Sequence, residues 1–162
     1  MEEVHKHLFV GDDSDYERLK GRSGWSFLRA CKDGPDSHRQ LLGYTSLGAP
    51  QGAHYLWVRK GNTLALNLID IDDPNFIPEK AIDKGLEFIA ERLSTADKLL
   101  VSCNAGHSRS AVLVLLFLRS VGEYPYGFIR AEKIFKTIYP KYDPNAGMRH
   151  YARAHWNGVL KG

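Results

Sequence analysis

The chain alternates short apolar runs with longer polar stretches, and the spacing within each run predicts the element it forms. Residues 7–10 form a short strand candidate stopped by Gly11-Asp12-Asp13, and residues 25–30 form a second. The second leads into a polar, turn-rich stretch, CKDGPDSHRQ, and residues 44–51 (YTSLGAPQ) read as a loop. HYLWV and TLALNLI then flank Lys60-Gly61-Asn62, the pattern of a hairpin. An acidic loop with Asp70, Asp72, Asp73 and Pro74 follows. Beyond Pro78, Ile82, Leu86, Ile89 and Leu93 fall on one face of an amphipathic helix.

Residues 98–102 (KLLVS) are short, apolar and bounded, and so read as a buried strand. AVLVLLFL, from Ala111 to Leu118, is apolar on every side, which places that helix in the middle of a core. Residues 122–127 break the chain. Phe128, Ala131, Phe135 and Ile138 mark a further helix ending at Pro140, and a last helix is expected over residues 147–160. Strands alternating with helices predict an α/β fold, with a central mixed, mostly parallel sheet of about 4–5 strands flanked by helices.

At 162 residues the chain is expected to form a single domain over 1–162. With 43% hydrophobic and 25% charged residues it reads as a soluble globular protein. A net charge of +3, evenly spread, does not call for nucleic acid but suits an anionic substrate. The opening MEEVHKHLFVGDD lacks the apolar run of a signal peptide, and no run is long enough for a membrane span. Two cysteines, Cys31 and Cys103, are too few for a disulfide framework and favour a cytoplasmic setting.

The candidate chemistry sits in Ser102-Cys103-Asn104-Ala105-Gly106-His107-Ser108-Arg109-Ser110, between the buried strand and the buried helix. In a strand–loop–helix of this kind the backbone N–H groups of Asn104, Ala105, Gly106, His107 and Ser108 turn inward, and the helix dipole adds positive potential. An oxyanion fits that cradle. Cys103 at its mouth lies in a field that favours the thiolate. Arg109 can offer a planar fork to two phosphate oxygens, which lysine cannot. Ser110 can donate a hydrogen bond to the departing thiolate. A lone cysteine is more often a small buried hydrophobe. The whole pattern Cys-x-x-Gly-x-x-Arg-Ser, however, arises by chance in only about one chain of this length in a thousand at ordinary residue frequencies.

CNAGHSRSA resembles the signature loop of the protein tyrosine phosphatase superfamily, and its Gly and Ser-Arg-Ser are most similar to the dual-specificity phosphatases. LFVGDDSDYERL is similar to that family's first strand and helix, LNLIDIDD to the strand delivering its catalytic aspartate, and PNAGM to the turn before its last helix. Residues 31–51 are the least familiar part, and resemble small bacterial or viral members more than animal regulatory ones. The resemblance implies a metal-independent phosphomonoesterase without cofactor. It would act through a phosphocysteine on phosphotyrosine, and also phosphoserine or phosphothreonine, in a phosphorylated protein or peptide. The expected state is a monomer, with no nucleic-acid or membrane partner.

By the family's spacing the general acid is Asp72, with Asp73 as runner-up. Asp70 is expected to face away if the strand persists through Ile71. Asp73-Pro74 can equally just open a turn. The family's histidine before the nucleophile is replaced by Ser102. His107 is expected at the rim, and Cys31 as a structural thiol rather than a redox partner. His38 and Arg39 either line a recognition surface or are solvated. Two alternatives stay open: a phosphate-binding module for a phosphorylated partner, or the same chemistry on RNA 5′ ends or phosphoinositides.

Overall fold

The computed structural model describes residues 1–159. Its six strands are β1 (Glu2–His5), β2 (Leu8–Gly11), β3 (Trp25–Arg29), β4 (Trp57–Lys60), β5 (Thr63–Leu66) and β6 (Lys98–Ser102). They form one sheet in the order β1-β2-β6-β3-β5-β4. The three central pairings are parallel, and the two outermost are antiparallel. Around the sheet lie α1 (Asp13–Leu19), α2 (His38–Leu42), α3 (Glu79–Leu93), α4 (Arg109–Ser120), α5 (Phe128–Ile138) and α6 (Ala146–His155). The mixed, mostly parallel α/β expectation holds, with one strand more than expected. The extra strand is β1, an acidic edge strand whose residues carry no apolar alternation. It exists through its pairing with β2.

Both faces of the sheet centre are covered, which is why β6 is apolar without alternating. Leu99 and Val101 join Leu8, Val10 and α4 in the main core. Leu100 faces the other way, into a smaller cluster with Tyr16, Leu19 and Phe27 under α1. Residues Arg109 through Arg119 of α4 are all buried, as an all-apolar helix requires. Each large aliphatic side chain buried this way is worth about 1.5–3 kcal/mol. On α3, Ile82, Phe88 and Ile89 are buried while Leu86 and Leu93 are half-buried at its margin.

Two local differences from the sequence reading have physical causes. The polar stretch after Cys31 contains α2, started by the Ser37 side chain accepting from Gln40 N–H and stopped by Gly43 in the left-handed region. The last helix ends at His155; Leu160, at its expected end, lies outside the described residues. Among the described residues no helix is long and apolar enough to cross a membrane.

Candidate active site

The loop of residues 103–108 joins β6 to α4 at the carboxyl end of the parallel strands. Gly106 makes its turn with φ +79°. A Cβ there would sit 2.9 Å from the Gly11 carbonyl oxygen and 3.1 Å from the Tyr139 hydroxyl. Glycine is therefore required by conformation and by space. Tyr139 also ties the loop from below, its hydroxyl donating to the Gly106 carbonyl at 2.7 Å.

Cys103 is 2% exposed, and its Sγ lies 3.2 Å from Ser110 Oγ, within hydrogen-bonding reach. Arg109 is 8% exposed. Its Nη1 donates to the Leu68 carbonyl at 3.0 Å and its Nη2 to Asn104 Oδ1 at 2.8 Å. Its Nε is buried with no acceptor among the described residues. No carboxylate among them pairs with this guanidinium. A buried cation with an idle donor is costly on both counts, and an oxyanion relieves both.

The acidic segment differs from the sequence reading. Asp70 does not face away: its Oδ1 accepts from Ser108 Oγ at 2.8 Å, so its carboxylate is on the loop. The parity argument fails because β5 stops at Leu66, where Leu68 N–H turns back to the Leu66 carbonyl at 2.9 Å. That tight turn breaks the strand alternation. Asp72 is exposed and makes no side-chain hydrogen bond or ion pair among the described residues. Asp73 caps the short 3-10 turn Pro74–Phe76 by accepting from Asn75 N–H at 2.9 Å. Ser108 Oγ also accepts from Asn145 N–H at 3.1 Å, tying the start of α6 to the same point.

The other predicted loop positions line its rim, while those outside the loop are placed elsewhere. Asn104 and Ala105 are exposed at the mouth, and half-buried His107 bonds through Nδ1 to the Asp143 carbonyl at 2.9 Å. His38 is not on a surface. It is fully buried, accepting from the Tyr44 hydroxyl at 2.9 Å and donating to the His54 carbonyl at 2.7 Å. Arg39 pairs with Asp33 and stacks on Tyr44, holding the 44–51 loop in place. Cys31 and Cys103 are both free, and burial pushes the Cys31 thiol up to about 11. Among the described residues no three His, Cys, Asp or Glu side chains gather as a metal-ligand set.

Sequence reasoning gave no site role to Asp13, Arg29, Tyr139 or Asn145. Asn145 was visible only as part of the PNAGM turn, and Arg29 only as one charged residue inside the apolar run WSFLRA. Arg29 is fully buried on the α1 face of the sheet and donates through Nη1 to Ser102 Oγ at 2.8 Å. A cation thus stands behind the residue that replaces the resembled family's histidine.

Solved structures match this fold along nearly the whole chain. The human tyrosine phosphatase-like serine/threonine/tyrosine-interacting protein superposes with TM-score 0.67 at 22% identity, covering 99% of this chain and 98% of its own. Human DUSP28 gives TM-score 0.65 at 18% identity, covering 98% of this chain and 93% of its own. The fold is that of the dual-specificity phosphatases. DUSP15 agrees, with TM-score 0.64 at 21% identity over 95% of this chain and 85% of its own. A Dictyostelium discoideum protein named as a probable dual specificity protein phosphatase is 34% identical over 83 residues, 50% of this chain. The matched part is 35% of that relative, so about a third of its length is represented. No family model matches the chain.

Proposed function

We propose that residues 1–162 act as a single catalytic domain that hydrolyses phosphotyrosine, and also phosphoserine or phosphothreonine, in proteins. The observation that carries this reading is Arg109: a guanidinium 8% exposed, with no carboxylate partner and an idle Nε–H among the described residues, at the end of a glycine-turned loop that begins at the buried Cys103. A phosphoryl group completes that arrangement. The name of the Dictyostelium relative points the same way.

In the first step Cys103 Sγ attacks phosphorus, forming the S–P bond as the ester P–O bond breaks. Arg109 and the loop N–H groups take up the charge on the equatorial oxygens. The leaving oxygen needs a proton, and Asp70 replaces Asp72 as the candidate donor because its carboxylate is bonded to the loop. In the second step water attacks phosphorus and gives its proton to Asp70. The S–P bond breaks, and Ser110 donates to the thiolate that departs.

The test is p-nitrophenyl phosphate hydrolysis in excess chelator, comparing wild type with Cys103→Ser. Turnover in the first and none in the second supports the reading. A silent wild type that vanadate still stabilises against heat would replace it with a phosphate-binding module.

A further inference from the structure

Arg29 starts a hydrogen-bonded line that ends on Arg109. The buried Arg29 guanidinium spends its donors in three directions: Nη1 on Ser102 Oγ at 2.8 Å, Nε on the Pro35 carbonyl at 2.9 Å, and Nη2 on Asp13 Oδ1. It also lies 4.6 Å from the centre of the Tyr16 ring. A guanidinium engaged on every edge is fixed, and it fixes Asp13 in turn.

Asp13 Oδ2 accepts from Asn104 Nδ2 at 3.1 Å, and the same Nδ2 donates to the Asp33 carbonyl at 2.9 Å. With its amide protons drawn to these two acceptors, Asn104 must turn Oδ1 the other way. There it accepts from Arg109 Nη2 at 2.8 Å. The polarity of one exposed amide is thus dictated by an acid at the start of α1 and a backbone carbonyl after β3.

We propose that Asp13 and Asn104 are positioning residues for Arg109, and that Arg29 anchors them. The line holds the clamp guanidinium at its Nη2 corner before an anion arrives, so little side-chain freedom is left to lose on binding. The role assigned to Arg109 rests on the phosphatase reading; the line itself does not.

Charge and positioning make opposite predictions for Asp13→Asn. Removing a negative charge near an anion site should tighten vanadate binding. Losing the acceptor that orients Asn104 should weaken it, by about tenfold if one charge-assisted hydrogen bond is lost. We expect weakening in calorimetric titrations with vanadate, with a similar loss in Asn104→Ala. The double variant should be no weaker than Asn104→Ala alone, because the two residues act in series. In an Arg109→Lys background neither change should add anything.

Equal or tighter binding by Asp13→Asn, or losses that multiply in the double variant, would overturn the proposal. If Asp13→Asn does not fold, Asn104→Ala against Arg109→Lys carries the comparison alone. A wild type that neither binds vanadate nor turns over would instead sink the phosphatase reading. The Arg109 Nε–H resonance in NMR spectra then decides: sharp in wild type and broadened in Asn104→Ala supports positioning, and unchanged overturns it.

Discussion

Gly147, the second residue of α6, carries the most stringent steric demand of the glycines among the described residues. A Cβ built on it would lie 1.8 Å from the Ile71 carbonyl oxygen and 3.1 Å from the Asp72 carbonyl carbon. Carbon–oxygen contacts close at about 3.3 Å, so Gly147→Ala forces α6 and the 70–72 segment apart by about 1.5 Å. In an unobstructed helix the substitution would stabilise by about 0.5–1 kcal/mol. Overpacking of this kind costs about 1–3 kcal/mol, so a small net loss of stability is expected. The larger effect falls on catalysis. The displaced segment carries Asp70, and the start of α6 is tied to the same Ser108 hydroxyl through Asn145. A misplacement of about 1 Å can cost 10²-fold in rate, so kcat should fall by about that factor while vanadate binding, which the loop controls, changes little. Steady-state kinetics, vanadate titration and urea unfolding of the one variant test all three parts. Wild-type kcat together with increased stability would refute the argument, because it would mean that helix propensity outweighs the contact.

Asp70→Asn should lower kcat on phenyl phosphate by about 10²–10⁴-fold, and less on p-nitrophenyl phosphate, whose leaving group needs little help. Asp72→Asn should leave both rates near wild type, and the reverse pattern would return the acid role to Asp72. Burial holds the Cys31 thiol near 11, so iodoacetamide at pH 8 should leave it unmodified in the folded protein and label it once unfolded; equal labelling in both states would contradict the packing. Burial pulls the Asp12 carboxyl upward, but hydrogen bonds from Asp15 N–H and Ser14, with attraction to Lys141, outweigh it and lower the group from 3.8 to about 2. A group depressed on folding stabilises above its unfolded value and loses that contribution as pH falls through the folded one. Asp12→Ala should therefore cost about 1 kcal/mol at neutral pH. That deficit should shrink between about pH 4 and pH 2; a deficit constant down to pH 2 would show that the cap acts without its charge.

The strand, loop and helix of the candidate site were legible because they are contiguous. The bounds of β6, the burial of α4 and the turn at Gly106 all follow from local pattern within about twenty residues. The acidic loop was legible as a loop but not in its orientation. Counting alternation from β5 assumes that the strand continues, and the reversal at Leu68 uses one backbone hydrogen bond that no side-chain pattern announces. β1 and α2 escaped for a related reason. One is held by pairing with β2, and the other by a serine cap and a glycine stop inside a polar run.

What holds Arg109 was out of reach for a different reason. Asp13, Arg29, Asp33 and Asn104 come from four separate segments, and each looks ordinary alone: two acids in polar stretches, an exposed loop amide and a single arginine in a strand. Their meaning lies in the parallel pairing that sets Arg29 beside Ser102, and so beneath the mouth of the loop. Residue type told which groups could carry the chemistry, and topology decides which of them are held still enough to do it. Ser102 makes the same point. The resembled family has a histidine there, but a serine hydroxyl at that register accepts from a buried guanidinium, which a protonated imidazole could not do. Introducing a histidine by Ser102→His should therefore harm this loop, since it would set a bulky ring against Arg29 in a space that holds a hydroxyl.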